Sequence, residues 1–131
     1  IVGTSKGKLY IVSSLLRNVI EYQIEPKTGQ LFKTKSYNIN MYGDNLEKDQ
    51  FNRLWVAGHV SAPSFLAHSK MKQVVSPSKV TLITPKSHIV KTLLQDDGHL
   101  LSSASVAAPY DDKALIGTVY EPYILHCQFN V

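Results

Sequence analysis

Arg53-Leu54-Trp55-Val56-Ala57-Gly58-His59, standing a few residues after Gly43-Asp44-Asn45-Leu46-Glu47, is the stretch on which the fold turns. Between a cation and a histidine runs an unbroken apolar segment that includes an aromatic and a β-branched residue. Such a run is too short for a stable helix and suits a pleated, buried surface. The same opening, a basic residue followed by an apolar strand, recurs at Lys8-Leu9-Tyr10-Ile11-Val12 and at Lys113-Ala114-Leu115-Ile116-Gly117. Three copies of one opening favour radial repetition, in which each would begin the inner strand of a propeller blade.

Outward from these segments the chain keeps one character. Strands are expected at Lys8 to Ser14, Asn18 to Glu25, Leu31 to Tyr37, Arg53 to His59, Lys79 to Thr84, Ile89 to Leu94, Ser102 to Ala107, Lys113 to Val119 and Tyr123 to Phe129. Turn chemistry separates them at Ser5-Lys6-Gly7, Pro26-Lys27-Thr28-Gly29, Asp96-Asp97-Gly98 and Pro109-Tyr110-Asp111-Asp112. The Pro26 to Gly29 turn, flanked by alternating segments, is the clearest hairpin signal. A short helix is expected at Pro63 to His68, entered from Ser61 or Ala62. The fold class is all-β; spacing alone fits a sandwich, a barrel or a piece of propeller equally well.

Length and composition bound the function. The 131 residues are 44% hydrophobic, enough for a single core. The chain starts at Ile1 with neither an initiator Met nor a signal-like segment, which reads as a fragment or a processed product. No apolar run reaches the ~18 residues of a membrane-spanning helix. Net charge is +4, but the 14 basic residues are scattered in pairs such as Lys6 and Lys8 or Lys70 and Lys72, so no nucleic acid partner is expected.

Several residues carry candidate chemistry. Asp44 and Asn45 place a carboxylate beside a carboxamide, the hard oxygen donors that Ca²⁺ prefers; the same dipeptide after Gly43 also makes an ordinary Asx turn. His59 can move a proton, line a pocket as a donor, or hold a strand end by hydrogen bonding. His68, His88, His99 and His126 lack partners at metal-ligand spacing, and no Gly-x-Ser-x-Gly elbow or glycine-rich phosphate loop is present. Cys127, the single cysteine, reads either as a small buried apolar residue or as half of a disulfide whose partner lies outside these residues.

Taken in order, Asp44-Asn45, then Leu54-Trp55-Val56 and His59, then Leu115-Ile116-Gly117-Thr118-Val119 and Cys127, resemble the pattern of the paraoxonase/arylesterase family. Tyr10-Ile11, Leu15 and Tyr22 are similar to the hairpin that precedes the Asp-Asn segment there. The resemblance implies that residues 1–131 are the C-terminal portion of a six-bladed β-propeller. It implies a calcium-dependent hydrolase of aryl esters and lactones, with Asp44 and Asn45 as Ca²⁺ ligands in a loop and His59 and Val119 near the substrate pocket. It further implies a disulfide from Cys127 to a cysteine near the N-terminus of a longer chain. The location implied is secreted, as a glycoprotein, or membrane-attached and facing an oxidising compartment, with a lipid or membrane surface met through an N-terminal segment outside this sequence.

The pattern departs from the family's in places. The family's pair of candidate base histidines is not in these residues, and a further Asn ligand expected before Val2 would fall at Ile1 or outside. The stretch after Val56 reads Ala57-Gly58-His59-Val60-Ser61-Ala62 where a Gly-Cys-His-Pro-Asn-Gly run is typical, and no Asn-x-Ser/Thr glycosylation acceptor occurs. A second implied reading is accordingly a non-catalytic chaperone or assembly factor of the same fold at a membrane.

Overall fold

The computed structural model describes residues 1–4 and 6–131. Eleven strands and one helix follow in chain order: β1 (Val2–Gly3), β2 (Lys8–Ser13), β3 (Asn18–Ile24), β4 (Leu31–Asn38), β5 (Tyr42–Lys48), β6 (Leu54–His59), α1 (Ala62–Lys70), β7 (Ser78–Thr84), β8 (Ile89–Asp96), β9 (Ala104–Tyr110), β10 (Lys113–Thr118) and β11 (Leu125–Gln128). They form three antiparallel meanders, β1-β2-β3-β4, β5-β6-β7-β8 and β9-β10-β11. Sheets made only of sequential neighbours, packed side by side, are the arrangement of successive propeller blades.

The second sheet is central because β6 is buried on both faces. Successive side chains of a strand point to opposite sides. Leu54 and Val56 therefore enter a core with Tyr10, Val19, Ile39 and Met41 of the first sheet and the loop behind it. Trp55 and Ala57 enter a second core with Ala104, Ala107, Ala114 and Ile116 of the third sheet. Burial on both sides explains why this strand reads as a continuous apolar run instead of an alternation.

The repeated basic openings occupy equivalent places, but not the expected ones. Lys8 starts β2, Arg53 directly precedes β6 and Lys113 starts β10, and each of these is the second strand of its sheet. The first strands β1, β5 and β9 lie inside them, with β5 in contact with both β1 and β9. Strand β1 is only two residues long and β5 is largely polar, so an apolar signal does not announce them, whereas the small apolar residues of β9 do. Segment Tyr42–Lys48, expected as a loop, is strand β5, paired along its length with β6.

Turn chemistry behaves as its residues require. Gly29, at φ 72°, closes the β3–β4 hairpin by donating its N–H to Glu25 O at 2.8 Å. Asp96 Oδ2 accepts from the N–H groups of Gly98, Leu100 and Leu101, which fixes the turn after β8. Of the Ser5-Lys6-Gly7 turn, Ser5 lies outside the described residues, and Gly7 adopts φ 69°. Helix α1 runs longer than Pro63 to His68, because Ser61 Oγ accepts from Ser64 N at 3.3 Å and Pro63 sits in the first turn. The third sheet starts and ends differently from expectation: β9 begins at Ala104, not Ser102, since Ser103 takes φ 56°, and β11 covers only Leu125–Gln128.

Candidate functional site

The register of β5 on β6 slips at one residue: Gly43 pairs with Gly58 and Asn45 with Ala57, leaving Asp44 as the extra residue of a β-bulge. In a regular strand Asp44 and Asn45 would point to opposite faces. A bulge turns two successive residues toward one side and re-aims their side chains. Both reach the same residue of the neighbouring sheet. Ser105 Oγ donates to Asp44 Oδ2 at 2.7 Å, and Asn45 Nδ2 donates to Ser105 O and Oγ, each at 3.1 Å.

Two oxygens remain without a hydrogen-bond donor among the described residues, Asp44 Oδ1 and Asn45 Oδ1, and both side chains are exposed. Their kind fits a hard cation, which takes six to eight oxygens. Their number does not complete one: among the described residues no three His, Cys, Asp or Glu side chains converge as ligands. Asp44 and Asn45 would hold a Ca²⁺ only as part of a larger donor set.

Close packing makes this geometry rigid. Gly58 lies so near β5 that a Cβ there would sit 2.2 Å from Tyr42 O, and a Cβ on Gly43 would strike Val12 and Ile39 at 2.6 and 2.9 Å. At Gly58 the neighbours are backbone, an approach only glycine admits, and at Gly43 they are packed side chains.

His59 ends β6 directly opposite Tyr42 of β5. Its imidazole lies between two rings: Phe65 of α1 stacks on it at 3.9 Å between centroids and 7°, and Tyr42 lies parallel at 6.1 Å. Burial depresses the His59 pKa, an effect partly offset by the nearby Asp44 charge. The neutral form of the ring is thereby favoured, and its Nδ1 is buried without a partner among the described residues. The aromatic file continues through Tyr120, 5.6 Å from Phe65, to buried His68 at 5.7 Å, whose Nδ1 meets Val74 O at 2.6 Å.

The structure thus brings Asp44, Asn45 and His59 to one end of the second sheet. Val119 is half-exposed and hydrogen-bonded through its N–H to Ser103 O, and no contact joins it to Asp44, Asn45 or His59 among the described residues. Cys127 is elsewhere: on β11 it pairs with Ala114 of β10, packs against the second core as a partly buried free thiol, and burial raises its pKa. Sequence reading passed over Ser105, Tyr42, Phe65 and Tyr120. Ser105 sits in a run of small residues with nothing local to mark it, and the three rings meet only in three dimensions.

The arylesterase family model matches residues 1–129, almost the whole chain. The chain belongs to the arylesterase family. Human serum paraoxonase/arylesterase 1 is 27% identical over 124 residues, a match that covers 93% of this chain and 35% of that protein. The chain therefore spans about a third of the length of the curated relative it matches. As an arylesterase-family chain it has the all-β architecture that its motifs implied, and among its described residues no helix is long and apolar enough to cross a membrane.

Proposed function

We propose that this arylesterase-family chain contributes the Asp44–Asn45 and His59 part of a calcium-dependent site that hydrolyses aryl esters and lactones. The observation that carries the reading is the bulge at Asp44, which brings the Asp44 carboxylate and the Asn45 carboxamide onto the same residue, Ser105, near a histidine whose pKa burial lowers. The family match and the similarity to a protein named for paraoxonase and arylesterase activity support it.

A bound Ca²⁺ supplies Lewis-acid polarisation of an ester carbonyl and charge to balance the oxyanion. The chain's own residues do the rest. Ser105 holds Asp44 and Asn45 in register, so that their free oxygens need no reorganisation. His59, lying between two rings with its pKa lowered by burial, can accept a proton from an attacking water or donate a hydrogen bond to bound substrate. Phe65 and Tyr42 cover the imidazole and offer an apolar wall to an aryl or lactone ring. Cys127, on the last strand, is in this reading the partner of a cysteine outside residues 1–131, in a protein secreted or attached to a membrane facing an oxidising compartment.

The test is hydrolysis of phenyl acetate and of a simple lactone by the full-length gene product, with and without a calcium chelator. Turnover lost on chelation and weakened by Asp44→Ala supports the proposal. Calcium-stabilised folding without turnover overturns it in favour of a non-catalytic member of the family.

A further inference from the structure

At the end of β6 away from His59, a cavity of about 710 Å³ opens between the first and second sheets. Arg53 directly precedes the six-residue strand β6 and His59 ends it, so the two sites are about 20 Å apart by strand rise. Five cations line the cavity: Lys6, Lys8, Lys35, Arg53 and Lys86. They arrive from the β1–β2 loop, β2, β4, the β5–β6 turn and the β7–β8 turn, so the fold, not local sequence, gathers them.

Two of the five are answered by carboxylates. Lys8 Nζ meets Glu21 Oε1 at 2.9 Å, and Arg53 Nε meets Asp49 Oδ2 at 2.6 Å. Lys6, Lys35 and Lys86 have no carboxylate within ion-pair distance among the described residues. Lys35 instead meets the ring Nε2 of His88 at 2.5 Å.

Arg53 is the built part of the site. Its Nε is pinned by Asp49, whose second donor to the same oxygen is Trp55 Nε1 at 3.0 Å, and its guanidinium lies 5.1 Å over the Phe51 ring. Both terminal Nη atoms are left with no acceptor among the described residues. A guanidinium fixed on one edge, with its outer edge unpaired, is a preorganised fork for an oxyanion. Beside it, Phe51, Tyr10 and Pro85 give the cavity an apolar wall.

We propose that this cavity binds a phosphate monoester: a dianion to satisfy Arg53 and the three unanswered lysines, carried on an apolar body that rests against Phe51 and Tyr10. A single carboxylate would leave most of the surplus positive charge unneutralised. The proposal stands apart from the ester-hydrolase reading, since no residue is shared between the two sites.

Calorimetric titration of the full chain, without added calcium and at constant ionic strength in chloride, tests it with inorganic phosphate and phenyl phosphate. Omitting calcium removes any phosphate contact made through a metal at the Asp44 end. Saturable binding is expected, tighter for phenyl phosphate than for inorganic phosphate. In the Lys6→Glu/Lys86→Glu double variant, both positions being exposed and outside the core, affinity should fall about tenfold or more with the melting temperature unchanged. No saturable binding in the parent, or unaltered affinity in the double variant, overturns the proposal. Sedimentation with phosphatidylcholine vesicles, with and without phosphatidic acid, identifies the source of the phosphate. Capture only by phosphatidic acid, lost in the double variant, assigns a lipid headgroup; no capture beside retained phenyl phosphate binding assigns a soluble ester.

Discussion

Ser105 on β9 and Asp44 on β5 are joined by a hydrogen bond of 2.7 Å across the boundary between the second and third sheets. The bond orients the carboxylate as well as tying the sheets. Ser105→Ala should leave the fold intact and cost about 1 kcal/mol or less, since the pair is exposed. If the proposed calcium site exists, calcium affinity of the full-length protein should drop by about tenfold through lost orientation. Chemical denaturation and calcium titration measure the two effects separately.

His59 should titrate below the ordinary histidine range, because burial disfavours the imidazolium and Asp44 only partly compensates. Asp44→Asn removes the offsetting charge and should lower the His59 pKa further. A folded-state pKa below the unfolded one means that the stability contribution is present above about pH 6.5 and is lost as pH falls toward the folded value. NMR titration of the His59 ring protons in both variants reads the sign directly.

Glu21 is the buried hub of the first sheet. Burial alone would raise its pKa, but hydrogen bonds from Lys8, Thr34 and Tyr10 together outweigh that and lower it to about 2. Tyr37, which also donates to it at 3.2 Å, is pushed up to about 12 by burial and the Glu21 charge. Stability from Glu21 is therefore present above about pH 4.5 and lost as pH falls toward 2. Glu21→Gln should cost about 3 kcal/mol at neutral pH and flatten that acid limb. Urea unfolding at several pH values checks both.

Gly58 tolerates no side chain. A Cβ at 2.2 Å from Tyr42 O and 2.8 Å from Gly43 Cα meets backbone on both counts, and backbone in a paired strand cannot yield cheaply. Gly58→Ala should cost roughly 3 kcal/mol or more and displace the β5 bulge, and with it Asp44. Thermal melting, together with loss of calcium-linked stabilisation, tests this; a variant as stable as the parent would show that β5 and β6 are not so closely apposed.

Most of the strands were legible because their physics is local. The β-branched and aromatic content of Asn18–Ile24, the Gly29 turn, the Asp96 turn and the apolar run of Leu54–His59 each follow from neighbours in sequence. Strand β5 was not. Tyr42-Gly43-Asp44-Asn45 has the composition of a turn, and it is extended only because β6 offers a full ladder of partners on one side. The basic openings were equivalent to one another, as their repetition suggested, yet they mark second strands; of the first strands only β9 carries enough apolar character to be seen, β1 being two residues long and β5 largely polar.

By itself the sequence determined an all-β chain of the arylesterase family and named Asp44, Asn45 and His59 as residues to watch. Local composition sets strand and turn preferences, and ordered motifs carry kinship. Tertiary structure alone decided that a bulge turns Asp44 and Asn45 onto Ser105, that Phe65 and Tyr42 enclose His59, and that five cations from five segments share one cavity. Each of these depends on which strand packs against which, a choice made by burying two apolar faces of β6 at once, and no local pattern encodes it.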